Sequence, residues 1–135
     1  MTGDPIPDLD LYIEAALGRK AQEIVVLDVG DLTSLADAFI ICHGTSNRQV
    51  SAIAEHIKRD LKKKGISPVC IDGLKEGRWV LMDYGDIIIH VFYEEVRRFY
   101  DLEGLWVDAG RITTKHLKSV DENDNGDWDE SVYIE

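Results

Sequence analysis

Long apolar runs, paired cysteines and positive charge are all scarce in this chain, and each scarcity removes a class of protein. The longest apolar runs, such as Ile87 to Ile89, are strand-sized and fall well short of the roughly 20 residues a membrane-spanning helix needs. The stretch from Met1 to Asp10 carries acids and prolines where a signal peptide carries bases, so a cytoplasmic location is expected. Cys42 and Cys70 are the only cysteines and lack C-x-x-C spacing. They are expected to be reduced, buried and structural, not a disulfide framework or a redox pair. Lys and Arg number 15 against 26 Asp and Glu, for a net charge of −11. Binding to a phosphate backbone relies on basic side chains. Extensive nucleic-acid contact is therefore not expected, and a basic protein partner suits the balance better.

What is present suits one domain with tails. The 135 residues are 44% hydrophobic, enough to build a core without disulfides or metal. The acid excess is uneven. Residues 119 to 135 hold seven acids and no Lys or Arg, and without them 19 acids still face 15 bases. Residues 1 to 108 read as an α/β domain, and residues 109 to 135 as an acidic tail expected to be disordered.

Periodicity predicts a helix over 8–20, with Leu9, Ile13, Ala16 and Leu17 on one face and Asp8 as its cap. Strands follow at 23–29 and 38–42. A long helix opens at Thr45 or Ser46, carries Val50, Ile53, Ala54, Ile57 and Leu61 as its apolar stripe, and stops at Gly65. Lys62, Lys63 and Lys64 fit its negative C-terminal dipole end better than a nucleic-acid patch. Strands are predicted at 68–71, 78–83 and 86–92, the last two forming a hairpin about Tyr84-Gly85. A helix over 94–105 ends the pattern. The order implies a single mixed sheet of about five strands flanked by helices.

Several residues invite a chemical reading. Gly44-Thr45-Ser46 between a strand and a helix has backbone N–H groups suited to an anion. It lacks the Gly-Lys-Ser/Thr end of a P-loop, and an ordinary helix cap is the simpler account. A similar turn occurs in nucleotidyltransferases, but the strands nearby carry no acid-x-acid pair to hold catalytic metals, and Asp83 and Asp86 lie three apart across a turn. His90, on an apolar strand, is a candidate base or ligand, with a hydrogen-bonded, partly buried role as the commoner alternative. His43, His56 and His116 have no ligand-like spacing. No catalytic residue, metal or cofactor is expected. Trp79 alternates with Leu81 and Asp83 on one face of its strand. Three helices leave part of a five-stranded sheet uncovered. Trp79 is then either an exposed anchor rimmed by acids or a core residue beneath the first or last helix.

Three ordered blocks carry a family resemblance: Ala36-Asp37-Ala38-Phe39-Ile40-Ile41-Cys42-His43-Gly44-Thr45-Ser46-Asn47-Arg48-Gln49-Val50, Trp79 through Phe92, and Arg98-Phe99-Tyr100-Asp101-Leu102-Glu103-Gly104-Leu105-Trp106. Over residues 8 to 108 the chain resembles the bacterial ribosomal silencing factors (RsfS, or Iojap). The resemblance implies a nucleotidyltransferase-like α/β fold without catalytic residues. It also implies docking on ribosomal protein L-fourteen of the large ribosomal subunit, which blocks an intersubunit bridge and represses translation, and a capacity to form homodimers. The contact surface expected on this basis includes Trp79, Asp83, Tyr84, Asp86, Arg98 and Tyr100, with Tyr100 and Trp106 alternatively core residues of the last helix. A large-subunit assembly factor and a nucleotidyltransferase-type enzyme are the competing functions.

Overall fold

A computed structural model describes residues 6–112. The acidic tail beyond residue 112 lies outside the described residues. The elements run α1 (Leu9–Leu17), β1 (Gln22–Asp28), β2 (Ala38–Gly44), α2 (Asn47–Lys63), β3 (Cys70–Asp72), β4 (Trp79–Asp83), β5 (Ile87–Tyr93), α3 (Glu94–Tyr100), α4 (Leu102–Leu105) and β6 (Gly110–Arg111). The strands form one mixed sheet in the order β3-β4-β5-β2-β1-β6. β2 and β5 pair in parallel and every other neighbour is antiparallel. The sixth strand, beyond the five expected, has only two residues, too few to show a period in sequence. Among the described residues no helix is long and apolar enough to cross a membrane.

α2 follows its sequence signals closely. Ser46 caps its start, the Oγ accepting from Gln49 N–H at 3.0 Å. Its C-terminus closes as a Schellman motif. Ile66 N–H reaches Leu61 C=O, Gly65 N–H reaches Lys62 C=O, and Gly65 takes φ of 83°. The other ends depart from expectation. α1 stops at Leu17, short of Lys20, and Asp8 sits at φ 64° without a side-chain cap. The predicted last helix breaks at Asp101, which adopts φ 47° and caps the one-turn α4 through Gly104 N–H at 3.2 Å. The hairpin turn centres on Gly85-Asp86, one residue later than expected, since Tyr84 N–H still bonds Ile87 C=O and Gly85 supplies the positive φ. That slip moves the pairing by two residues, so Trp79 lies opposite Phe92 and Leu81 opposite His90.

The sheet has two unlike faces. On one, Val26, Ala38, Ile40, Cys42, Val80, Met82, Ile87, Ile89 and Val91 pack with Ile13, Ala16, Ile53, Ile57 and Leu61 of α1 and α2. β2 is buried along its whole length, as a central strand covered on both sides must be. On the other face, Leu27, Phe39, Ile41 and Phe92 pack beneath Val29, Ala36, Val96 and Leu102. Cys42 is fully buried, and burial pushes its thiol up to about 12, which keeps it protonated and inert. Cys70 lies exposed on the edge strand β3, contrary to its expected burial.

Candidate functional site

The second face is only partly roofed. α3 follows directly from β5, so it folds back over the Phe92 end of the sheet, and Trp106 meets Phe39 edge-on with ring centroids 5.1 Å apart. Leu81, Ile88 and Trp79 stay half-buried. Strand alternation puts Trp79, Leu81 and Asp83 in a row on β4 beside Ile88, His90 and Phe92 on β5. Trp79 is held on three sides. Its ring centroid lies 4.8 Å from Phe92, 5.0 Å from Tyr100 and 6.0 Å from His90. Its indole N–H donates to His90 Nδ1 at 3.1 Å. The two alternatives for Trp79 therefore merge, since the side chain is clamped at the base and open at the side.

Beside this strip lies a buried charge network. Arg97, only 6% exposed, donates to Glu103 Oε2 at 2.7 Å, to His43 Nδ1 at 2.8 Å and to the Gln22 carbonyl at 3.5 Å. In an unbroken helix residues six apart sit on different faces, so the break at Asp101 is what lets Glu103 turn back to Arg97. Arginine donates only. His43 Nδ1 must therefore accept, and the ring is neutral. Burial, and then the Arg97 charge, holds His43 below its ordinary pKa. Burial pushes Glu103 upward, but the Arg97 hydrogen bond and charge outweigh it and leave the carboxyl below its usual value. The network ties α3 and α4 to β1 and β2.

Of the expected contact residues, Trp79, Asp83 and Tyr100 share this side of the sheet. Asp83 is half-buried, its Oδ1 accepting from Gly85 N–H at 2.8 Å. Tyr84 turns to the opposite side, meeting Tyr12 of α1 edge-on at 5.3 Å. Burial raises its hydroxyl to about 12. Asp86 is exposed at the turn, and its carbonyl accepts from Asp37 and Ala38 N–H. Arg98 lies on the outside of α3, paired with Glu94 at 3.2 Å. Tyr100 is 49% exposed and Phe99 79%. Arg78, Tyr93, Glu95, Val96, Phe99 and Tyr100 line a shallow groove of about 360 Å³ along α3.

The turn before α2 is occupied by its own chain. Gln49 Oε1 accepts from Thr45 N–H at 2.6 Å and from Thr45 Oγ1 at 3.0 Å, so both Thr45 donors are already used within the turn. Among the described residues no group of three His, Cys, Asp or Glu is arranged to hold a metal ion.

A family model described as "Ribosomal silencing factor during starvation" (RsfS) matches residues 4–132. The chain belongs to the RsfS family. It is 42% identical over 104 residues to the ribosomal silencing factor RsfS of Halalkalibacterium halodurans, covering 77% of this chain and 89% of that protein. A crystal structure of a Chromobacterium violaceum protein superposes with a TM-score of 0.70 at 43% identity, over 72% of this chain and 81% of that one. More distantly, the chain is 30% identical to the mouse protein named "Mitochondrial assembly of ribosomal large subunit protein 1", over 73% of this chain and 45% of that protein.

In this RsfS-family chain the expected contact set names Trp79 but omits Leu81 and Ile88, which are half-buried on the same face. Alternation was the signal that could have added them, since Leu81 shares Trp79's face by period two and Ile88 shares His90's. The Arg97–His43–Glu103 network gave no such signal. Its members lie on three elements, and Arg97 alternates with nothing that marks it as buried.

Proposed function

We propose that this chain docks on the large ribosomal subunit through the uncovered strip of its second sheet face, and so keeps the small subunit from joining and represses translation. The observation that carries this reading is Trp79, a half-buried aromatic side chain packed against Phe92, His90 and Tyr100, with half-buried Leu81 next to it and Ile88 further along the same face. Partly exposed aromatic anchors on pre-ordered surfaces dominate protein interfaces. Asp83 at the far end of the same strand face and the chain's net charge of −11 favour a basic protein partner, ribosomal protein L-fourteen in this reading, over ribosomal RNA. Steric occupation needs no bond-making step. A ligand of the free subunit pulls the joining equilibrium toward separate subunits by mass action. Two copies pairing through the same strip would compete with the ribosomal partner for Trp79.

Sucrose-gradient sedimentation of purified subunits tests the reading. The protein should travel with the large subunit and reduce the joined fraction, and joined ribosomes that persist at excess protein would reject it. The name of the mouse relative favours a second reading, a large-subunit assembly factor acting through the same contact. Precursor particles accumulating in a deletion strain whose mature subunits join normally would select it.

A further inference from the structure

We propose that His90 is the positioning residue of Trp79, retained in the core for its one acceptor nitrogen. This inference rests on the reading of Trp79 as the docking anchor. His90 is 5% exposed and lies mid-strand on β5 among Phe39, Trp79 and Phe92. The indole N–H donates and cannot accept. His90 Nδ1 therefore carries no proton, and the neutral ring must bear its hydrogen on Nε2. That second nitrogen is buried and has no hydrogen-bond partner among the described residues. A buried donor without a partner lowers stability relative to an apolar side chain of similar shape. Judged as a core residue, His90 is thus a poor choice beside its neighbours Ile89 and Val91. Its one satisfied bond runs to Trp79. The rings of Phe92 and Tyr100 restrain the indole plane through contacts that have no strong direction. The hydrogen bond alone fixes which edge of the indole turns into the sheet, and hence which edge remains for a partner.

The registry supports the same assignment. His90 stands opposite Leu81, and Trp79 stands opposite Phe92. The two are therefore diagonal cross-strand neighbours, a separation that only long or aromatic side chains bridge. His90 spans that diagonal and delivers Nδ1 to the indole. An apolar residue there would fill the space and leave the indole N–H without an acceptor.

The test compares Trp79→Ala, His90→Leu and His90→Asn in the full chain. An asparagine amide oxygen falls close to the position of Nδ1. Affinity is read by co-sedimentation with purified bacterial large ribosomal subunits, stability by the urea midpoint, and the Trp79 indole N–H by its proton–nitrogen resonance, assigned through its loss in Trp79→Phe. His90→Leu should keep or raise the urea midpoint, shift or broaden the indole resonance, and lower subunit affinity about tenfold. His90→Asn should return the resonance toward its native position and recover most of the affinity. If His90→Leu binds like the wild type with an unmoved resonance while Trp79→Ala is weakened, the positioning role is overturned and the docking reading stands. If Trp79→Ala binds like the wild type, the docking reading fails, and the resonance in His90→Leu still decides whether His90 orients the indole. If His90→Leu lowers the urea midpoint or does not fold, His90 is an ordinary structural residue and the inference fails.

Discussion

The two faces of the sheet are built by different rules. Beneath α1 and α2 the packing is mainly apolar, the Tyr12–Tyr84 pair apart, with Ile13, Ile40, Ile53, Ile57, Met82, Ile89 and Val91 all at 0% exposure. On the other face the buried set includes Arg97, His43 and His90, and its roof stops short of Leu81 and Ile88. The first arrangement maximises burial, worth about 1.5–3 kcal/mol for each large side chain taken out of water. The second gives up some of that burial for direction. A hydrogen bond or ion pair holds a side chain at one angle, which apolar contact alone does not do. The closed face supplies stability, and the open face holds Trp79, the proposed docking anchor, against His90, Phe92 and Tyr100. The largest test of this division is Ile57→Ala. It should lower the unfolding free energy by about 2–5 kcal/mol and leave subunit affinity per folded molecule unchanged, as urea titration and co-sedimentation would report. A matching loss of affinity would show that the two faces are not separable.

Next in size is Glu103→Ala. It removes the carboxylate from Arg97, whose side chain is 7% exposed, and leaves a buried guanidinium to His43 and one carbonyl. Breaking one partner of a buried pair costs about 3 kcal/mol or more. Unlike Ile57→Ala, this change should also loosen α3 and with it the Tyr100 wall of the Trp79 clamp, so affinity and stability should fall together.

Acid probes the buried His90 without mutation, although His56 on α2, also lowered by burial, adds a slope of the same sign. Burial holds His90 neutral and lowers its pKa from 6.5 to about 4. The unfolded chain takes up a proton below 6.5 that the folded chain refuses. Stability from this group is therefore constant above pH 6.5, falls as pH drops from 6.5 to about 4, and levels off below that. The full gap is worth about 3 kcal/mol. His43, lowered in the same direction, adds to the slope. His90→Leu should flatten the urea-midpoint profile across that window.

Trp79→Ala reverses the contrast. The side chain is only half-buried, so the stability loss should be smaller than for Ile57→Ala. Docking should weaken by about 2 kcal/mol or more, measured by co-sedimentation against subunit concentration.

The contrast between faces also sorts what could be read from sequence. The closed face was legible because its signals are local. The α2 stripe, the Ser46 cap and the Gly65 stop each sit within one turn of the residues they control. The open face depends on contacts distant in sequence. Asp101 takes a left-handed conformation and breaks the last helix, and the partner this serves, Arg97, is named by no spacing rule. β6 is two residues long and exists because β1 offers an edge. Period two correctly joined Trp79, Leu81 and Asp83. It could not place Tyr84 and Asp86, because turn residues leave the alternation, and Tyr84 faces Tyr12 on the far side. The Trp79–His90 bond needed the register, and the turn was one residue from where sequence put it.

Arg98→Ala is the smallest change and the finest probe. Its pair with Glu94 is an exposed i,i+4 bridge, with side chains 66% and 39% exposed. Such bridges contribute a few tenths of a kcal/mol at most, so the urea midpoint should barely move. Arg98 lies on the outer side of α3, away from the Trp79 strip. Its effect on docking should therefore appear through the long-range field. The remaining surface is acidic, so removing one positive charge should slightly speed association with a basic partner at low salt and do nothing at high salt. Stopped-flow association rates at two ionic strengths would measure this. A loss of affinity that survives high salt would instead make Arg98 a direct contact and extend the docking surface from the open strip onto the flank of α3.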